Sequence, residues 1–313
     1  MQIPFFASLQ EARCVLIAGC GGGFDIFSGL PLYVHLRGLS KTVHLANLSF
    51  TNLRTSGCET IDGKAWLVNA SARQLDYFPE RLLAEWLRRQ GHEGSIIAFD
   101  NTGVRPLHDA YRVVVERFGI DTVVLIDGGT DSIIKGDEPG LGTVTEDATS
   151  LVAVNELDVP RKLLACLGFG IDHFHGISHH SYLENTAELI RLGGFMGNCS
   201  VTADTPEGRA FLDAVDYANM QQPHHRSIVC NSISSAIRGE FGDYQTTGRT
   251  AGSQLFVNPL MPIYWFYNIA VLAKWIGFYD ALLDTNSRYD VLNAINDFRE
   301  QLRLRRLRQP IPL

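Results

Sequence analysis

The sequence is short of the features that usually assign a class at once. Lysine and arginine total 27 against 34 aspartates and glutamates, a formal net charge of −7. The chain therefore lacks the basic face with which a nucleic-acid binder neutralises phosphates. Its one basic run, Arg299, Arg303, Arg305, Arg306 and Arg308, closes the last predicted helix and reads as cations complementing a helix C-terminus. The 6 cysteines, Cys14, Cys20, Cys58, Cys166, Cys199 and Cys230, include no C-x-x-C pair, which excludes a zinc knuckle and a thioredoxin-type motif. Most sit in apolar runs and read as small hydrophobic packers. The N-terminal residues lack the cationic and apolar regions of a signal peptide. The best candidate for a membrane span, residues 259–279, opens with two prolines and is broken by Lys274, leaving too few unbroken apolar residues. It reads as a buried helix or a subunit contact. G-x-S-x-G does not occur, so there is no nucleophile elbow, and no Gly-Lys-Ser/Thr follows the glycines, so there is no P-loop. These absences describe a cytoplasmic protein with a small-molecule partner, no nucleic acid and no membrane, and they leave room for a homo-oligomer.

The chain does contain 29 glycines, gathered behind apolar runs instead of spread along a linker. Short β-type runs at residues 14–18, 42–48, 95–99, 122–126, 163–168 and 254–257 alternate with amphipathic segments. In 106–119, Tyr111, Val114, Val115 and Phe118 recur at three- and four-residue steps before Gly119 stops the pattern. Thr205 before Pro206 and Glu207 marks a helix start, and Ser181 with Glu184 has the spacing of a capping box. Strands alternating with helices give βαβ units. The expected fold is a single α/β domain over 1–313, Rossmann-like, its mainly parallel sheet covered by helices on both faces, with a helical C-terminal portion from about residue 205.

In such sheets ligands sit beyond the carboxyl ends of the strands. Four strand ends carry chemistry there: Gly19, Gly21, Gly22, Gly23 and Asp25 after the first; Asp100 and Asn101 after 95–99; Asp127, Gly128, Gly129 and Asp131 after 122–126; and Asp172, His173 and His175 after 163–168. The dinucleotide fingerprint G-x-G-x-x-G begins at Gly19 and Gly21 but has Phe24 at its third position. The second strand ends Ala46-Asn47-Leu48-Ser49, without the acid that would hold a ribose. An NAD(P)-dependent oxidoreductase is thus only an alternative. The glycines at 21–23 suit an anion nest, the plainer reading being a tight turn. Asp25 argues against a bare phosphate in that spot, unless a cation lies between them.

The stretch 127–150 holds Asp127, Asp131, Asp137, Glu138, Glu146 and Asp147. Carboxylates near an anion nest are what Mg²⁺ needs, with Asp127 and Asp131 as its expected ligands. Glu146 and Asp147 after Thr145 read more simply as an N-cap with dipole-complementing acids, and 137–140 as a solvated turn. His173 and His175 form a His-x-His pair suited to a transition metal or, with Asp172, to moving protons. None of the cysteines has a neighbour that visibly activates it.

Together GCGGGFD, DGGTDSIIKGDEPGLGT-x-x-ED, GFGIDHFHG and LENTAELIRLGGF resemble the archaeal and bacterial family known as domain of unknown function eleven-fifty-two, over Arg13 to about Tyr267. The resemblance implies a Rossmann-like sheet and marks 21–25, 127–131 and 136–138 as motif positions, without supplying an activity. The reading favoured by the residues is an enzyme of hydrolysis or group transfer on a small phosphorylated or nucleotide-like molecule. Gly21, Gly22, Gly23, Asp25, Asp100, Asn101, Asp127, Gly128 and Gly129 would bind it, and Asp131, Asp172, His173 and His175 would carry catalysis. A nucleotide-sensing regulatory binder without catalysis is the alternative of another class, and an oligomeric scaffold using 263–279 a third.

Overall fold

The structure, a computed structural model, describes residues 2–250 and 255–306. Residues Cys14–Gly19 (β1) are six consecutive buried positions. A strand apolar on both sides must be covered on both faces, so it takes the interior of a parallel sheet. It pairs in parallel with Thr42–Ser49 (β2) on one side and Thr122–Asp127 (β6) on the other. Beyond these lie Ile96–Asp100 (β5), parallel to β2, and Arg161–Cys166 (β7), parallel to β6. A hairpin of Glu59–Ile61 (β3) and Ala65–Val68 (β4) adds antiparallel to β5. Phe195–Ser200 (β8) and Ile263–Asn268 (β11) extend the opposite edge. The sheet order is β3-β4-β5-β2-β1-β6-β7-β11-β8, and Gly242–Asp243 (β9) with Phe256–Val257 (β10) form a separate small ribbon.

Successive side chains of a strand point to opposite faces, and β1 feeds two cores accordingly. Leu16 and Ala18 join the core of helices Val104–Phe118, Val144–Asn155 and Ile269–Trp275. Val15 and Ile17 join that of Leu30–Gly38, Pro79–Arg89 and Pro206–Gln221. Helix Val104–Phe118 buries Leu107, Ala110, Tyr111 and Val114, and ends where Gly119 takes a left-handed φ of 63° and its N–H returns to the Val115 carbonyl. The Thr205 hydroxyl accepts from the Gly208 N–H with Pro206 in the first turn, the cap its sequence announces.

Some local expectations are corrected. Residues 263–268 are an interior strand, not a helix: the run Ile-Tyr-Trp-Phe-Tyr is rich in the aromatic residues that pack well on a pleated surface. Tyr264, Phe266 and Tyr267 are buried between neighbours. The helix starts only at Ile269, capped by Asn268, whose side chain accepts from the Val271 N–H. Helix His179–Arg191 is capped by Ser178 instead of Ser181, and helix Val144–Asn155 begins after Thr143 instead of Thr145. The strand expected at 163–168 lies two residues earlier, and Gln254 of the expected 254–257 run is outside the described residues. Glu138, expected in a solvated turn, is buried; it accepts from the N–H groups of Lys135 and Gly136, from Asn185 Nδ2 and from Arg305. Arg299 donates to the Gly136 and Glu138 carbonyls. These two members of the basic run therefore clasp this loop, while Arg308 lies outside the described residues. Among the described residues no helix is long and apolar enough to cross a membrane.

From β1 the chain moves outward to β2 and on to the edge hairpin β3–β4, comes back through β5, then crosses to β6 and moves the other way to β7. The loops after β1 and β6 therefore part in opposite directions. They leave a crevice at the carboxyl ends of these neighbouring strands, where open α/β sheets bind ligands.

Candidate active site

Carboxylates from four segments meet in that crevice. Asp25 opens the short helix Asp25–Ser28, and its Oδ2 accepts from the Gly21 N–H at 2.8 Å. Asp127 is the last residue of β6; its Oδ2 accepts from Ser132 Oγ at 2.6 Å and the Ser132 N–H at 3.1 Å. Asp147 stands in the first turn of helix Val144–Asn155. Asp172 follows β7, and its Oδ2 accepts from the Thr130 N–H at 2.5 Å and hydroxyl at 3.0 Å.

The glycines explain how the acids fit. A Cβ on Gly21 would lie 2.7 Å from Asp147 Oδ2, one on Gly128 2.6 Å from Asp25 Oδ1, and one on Gly129 2.7 Å from Asp172 Oδ2. Each glycine leaves the space that a carboxylate from elsewhere in the chain takes up. Gly22 and Gly23 serve differently: both have left-handed φ, 91° and 60°, which turn the chain from β1 into the Asp25 helix.

The resulting cavity, about 490 Å³, is lined by Gly21, Gly22, Asp25, Asn101, Asp127 and Asp147 among others. Asp131, Glu146, Asp172 and Arg288 complete its charged wall. Arg288 pairs with Glu146, which also accepts from Asn101 Nδ2 at 3.1 Å. Burial, and then the other carboxylates, raise the pKa of these acids and so favour their protonated forms. Asp25 is pushed up to about 8, by burial first and also by Asp131 and Asp172, against the lowering N–H bonds of Gly21 and Gly128. Asp127, Asp147 and Asp172 are driven well above the usual carboxylate range by burial, then by neighbouring acids. So many acids together stay ionised only if a cation neutralises them.

The donor set fits a hard divalent cation. One oxygen from each of Asp25, Asp127 and Asp147 lies within 4.8 Å of the others. Oxygens around one Mg²⁺ are about 3 to 4 Å apart, so little adjustment closes the set. Asp147 Oδ1 is buried and has no hydrogen-bond partner. An orphaned carboxylate oxygen is expensive in a protein interior, and a metal ion is a partner that offsets this cost.

Of the residues singled out from sequence, the fold brings Gly21, Gly22, Asp25, Asn101, Asp127, Gly128, Asp131 and Asp172 to this cavity. Gly23 lines an adjoining one, and Gly129 stands behind Asp172 and Asp127. Asp147 stands in the cation set where Asp131 was expected; Asp131 Oδ2 accepts from the Thr143 N–H at 2.7 Å and hydroxyl at 2.8 Å, tying the loop before helix Val144–Asn155. Asp100 ends β5 but lines a different cavity, with Trp66 and Arg105. His173 is exposed and belongs to the lining of neither site cavity; its ring lies 5.6 Å from that of His179. The side chain of His175 lies outside the described residues.

Sequence reasoning missed Asp147, Glu146, Arg288 and Phe50 as parts of the site. Asp147 was hidden because an acid in a first helical turn already has a local explanation. It also overlooked the support beneath the loop. Asn47 Nδ2 donates to the Gly23 carbonyl and to the fully buried Glu80, each at 2.8 Å, and burial pushes Glu80 up to about 7.

A family model described as protein of unknown function (DUF1152) matches residues 16–300. No curated protein matches the sequence.

Proposed function

We propose that this chain, which belongs to the DUF1152 family, is an enzyme of hydrolysis or group transfer that acts on a small phosphorylated or nucleotide-like molecule through a divalent cation, with Mg²⁺ the natural choice. The observation that carries the reading is the convergence of Asp25, Asp127 and Asp147, with the orphaned Asp147 Oδ1, in a cavity at the switch point of the sheet. An anion approaches such acids only across a cation, so carboxylates beside a glycine turn favour a phosphate bridged to protein oxygens. When bound, the cation would neutralise the acids and polarise a phosphoryl oxygen.

The chain's own residues supply the rest. The backbone at Gly21 and Gly22 gives a substrate close access, and Arg288 and Asn101 face it across the cavity from the Glu146 side. Asp172 is the proton carrier in this reading. It lines the cavity and Thr130 holds one of its oxygens in place, while burial and the neighbouring acids make it a stronger proton acceptor than an ordinary carboxylate. In hydrolysis, a bond forms between the water oxygen and phosphorus as the bond from phosphorus to the leaving oxygen breaks. The proton shed by water passes to ionised Asp172 and from there to the leaving oxygen. The exposed position of His173 argues against giving it that role.

The oxidoreductase alternative is disfavoured because Asp25 engages the Gly21 N–H, in the turn where a dinucleotide pyrophosphate would lie. The test is Mn²⁺ and Mg²⁺ binding to wild type and Asp147→Asn, with phosphorylated compounds followed by phosphorus NMR. Binding in wild type, its loss in a folded Asp147→Asn and turnover of a phosphate compound are expected. Equal cation affinity in the two proteins sinks the cation site. Tight binding of a compound that is always recovered unchanged favours the regulatory alternative.

A further inference from the structure

Beside the acidic cavity lies a second one of about 380 Å³, and the two share Gly22, Asp25, Phe50, Asp172 and Val229. Its remaining wall is of another kind. Phe24, Tyr77, Ile171, Ile228 and Leu255 bring apolar and aromatic surface where the first cavity has carboxylates. Gly23 is the point of closest approach: a Cβ there would lie 2.7 Å from Tyr77 Oη and 3.3 Å from the Phe50 ring. The missing side chain lets two aromatic rings close over the loop. Phe24 meets Tyr77 edge to face with centroids 5.9 Å apart, which steadies that wall. Phe50 stands at the join of the two cavities and is 51% exposed, so much of its ring remains open to a guest.

Ser28, Ser227 and Thr250 add polar groups to this wall, beside the shared Asp25 and Asp172. Ser28 Oγ is fully buried and makes no hydrogen bond of normal length, with the weakly polar Cys230 thiol near it. Ser227 caps helix Ile228–Ile237, whose first turn forms the opposite side. Apolar faces with a few fixed polar groups at one edge recognise a flat heteroaromatic ring. A sugar or a second phosphate would waste the aromatic wall.

We infer that the second cavity takes the heterocycle of the substrate while its phosphate lies in the acidic one, so that the molecule bound is a nucleoside phosphate. This rests on the reading of the acidic cavity as a cation and phosphate site. Ribose and phosphate would pass the boundary formed by Gly22, Phe50 and Val229, where a compact glycine leaves the passage open. The base would stack on Phe50 and Tyr77 and present a ring nitrogen or exocyclic group to Ser28 Oγ.

Calorimetry on the full chain tests this in three arms: Mn²⁺ alone, then nucleoside monophosphates and ribose 5-phosphate, each with saturating Mn²⁺. Nucleoside monophosphates are expected to bind at least tenfold more tightly than ribose 5-phosphate. Phe50→Ala should erase about tenfold of that preference and Phe50→Trp should keep it. The half-exposed position of Phe50 makes both variants safe for folding. Equal affinity for ribose 5-phosphate and nucleoside monophosphates, with Mn²⁺ still bound, overturns the heterocycle site and leaves the cation reading standing. A preference untouched by Phe50→Ala also overturns it. No Mn²⁺ binding at all overturns the underlying reading instead.

Discussion

The acids predict an unusual pH dependence of stability. Asp25 has an ordinary ionisation at 3.8 and one at about 8 in the fold. Between those values the folded chain keeps a proton that the unfolded chain has released. Stability therefore falls as pH rises, by about 1.4 kcal/mol per pH unit for each such proton, and the loss is complete above about pH 8. From pH 5 to pH 7, Asp25 alone should cost about 2.7 kcal/mol, which for a chain of this length is about 4 °C in Tm. Asp127, Asp147 and Asp172 shift in the same direction and steepen the fall. His44 and His179 oppose it: burial lowers their ionisation, so the fold gains stability as pH rises through the window. Comparing wild type with Asp25→Asn removes the histidine contribution. In chelator, guanidinium denaturation should give a stability difference between the two proteins that moves in favour of the variant by about 1 kcal/mol or more per pH unit between 5 and 8. Saturating Mg²⁺ should abolish that trend in wild type, because the ion takes the place of the protons. A difference that stays constant across the range, or a wild-type slope that ignores Mg²⁺, would refute the account of the acidic cavity.

The remaining predictions concern the supports of the site. Gly21 has no unusual φ, so Gly21→Ala tests space alone: its Cβ would lie 2.7 Å from Asp147 Oδ2. That variant should keep its far-UV circular dichroism and bind Mn²⁺ about tenfold more weakly or worse, as measured by titration. Arg305 is the cation beside buried Glu138 and also pairs with Asp137 and Glu184. Arg305→Ala should lose about 2 to 4 kcal/mol in denaturant unfolding, with part recovered when Glu138→Gln removes the stranded charge.

Much of the scaffold was legible because its cause is local. The apolar runs of β1 and β6, the three- and four-residue spacing before Gly119 and the Thr205-Pro206 start all announce their elements. The strand ends bearing glycine and aspartate also lie together around one cavity, apart from Asp100. Local rules misled where a residue had two adequate explanations. Asp147 made sense as a helix-dipole acid, Glu138 as a turn residue, and 263–268 as the beginning of an apolar helix. Packing chose otherwise each time, burying Glu138 against Arg305 and placing Tyr264, Phe266 and Tyr267 inside the sheet.

By itself, then, the amino-acid order determined an alternating α/β chain whose glycines and acids collect behind its strands. Those features arise from periodicity, turn geometry and capping, which act over a few residues. Only the tertiary structure decided that Asp147, 126 residues after Gly21 (147 − 21), would press against it, that Asp131 would turn to Thr143, and that Phe50 would stand between two cavities. The meeting of like charges has no local signal, because each acid taken alone is comfortable in water. Their repulsion and desolvation arise only once the chain has crossed over and brought them together.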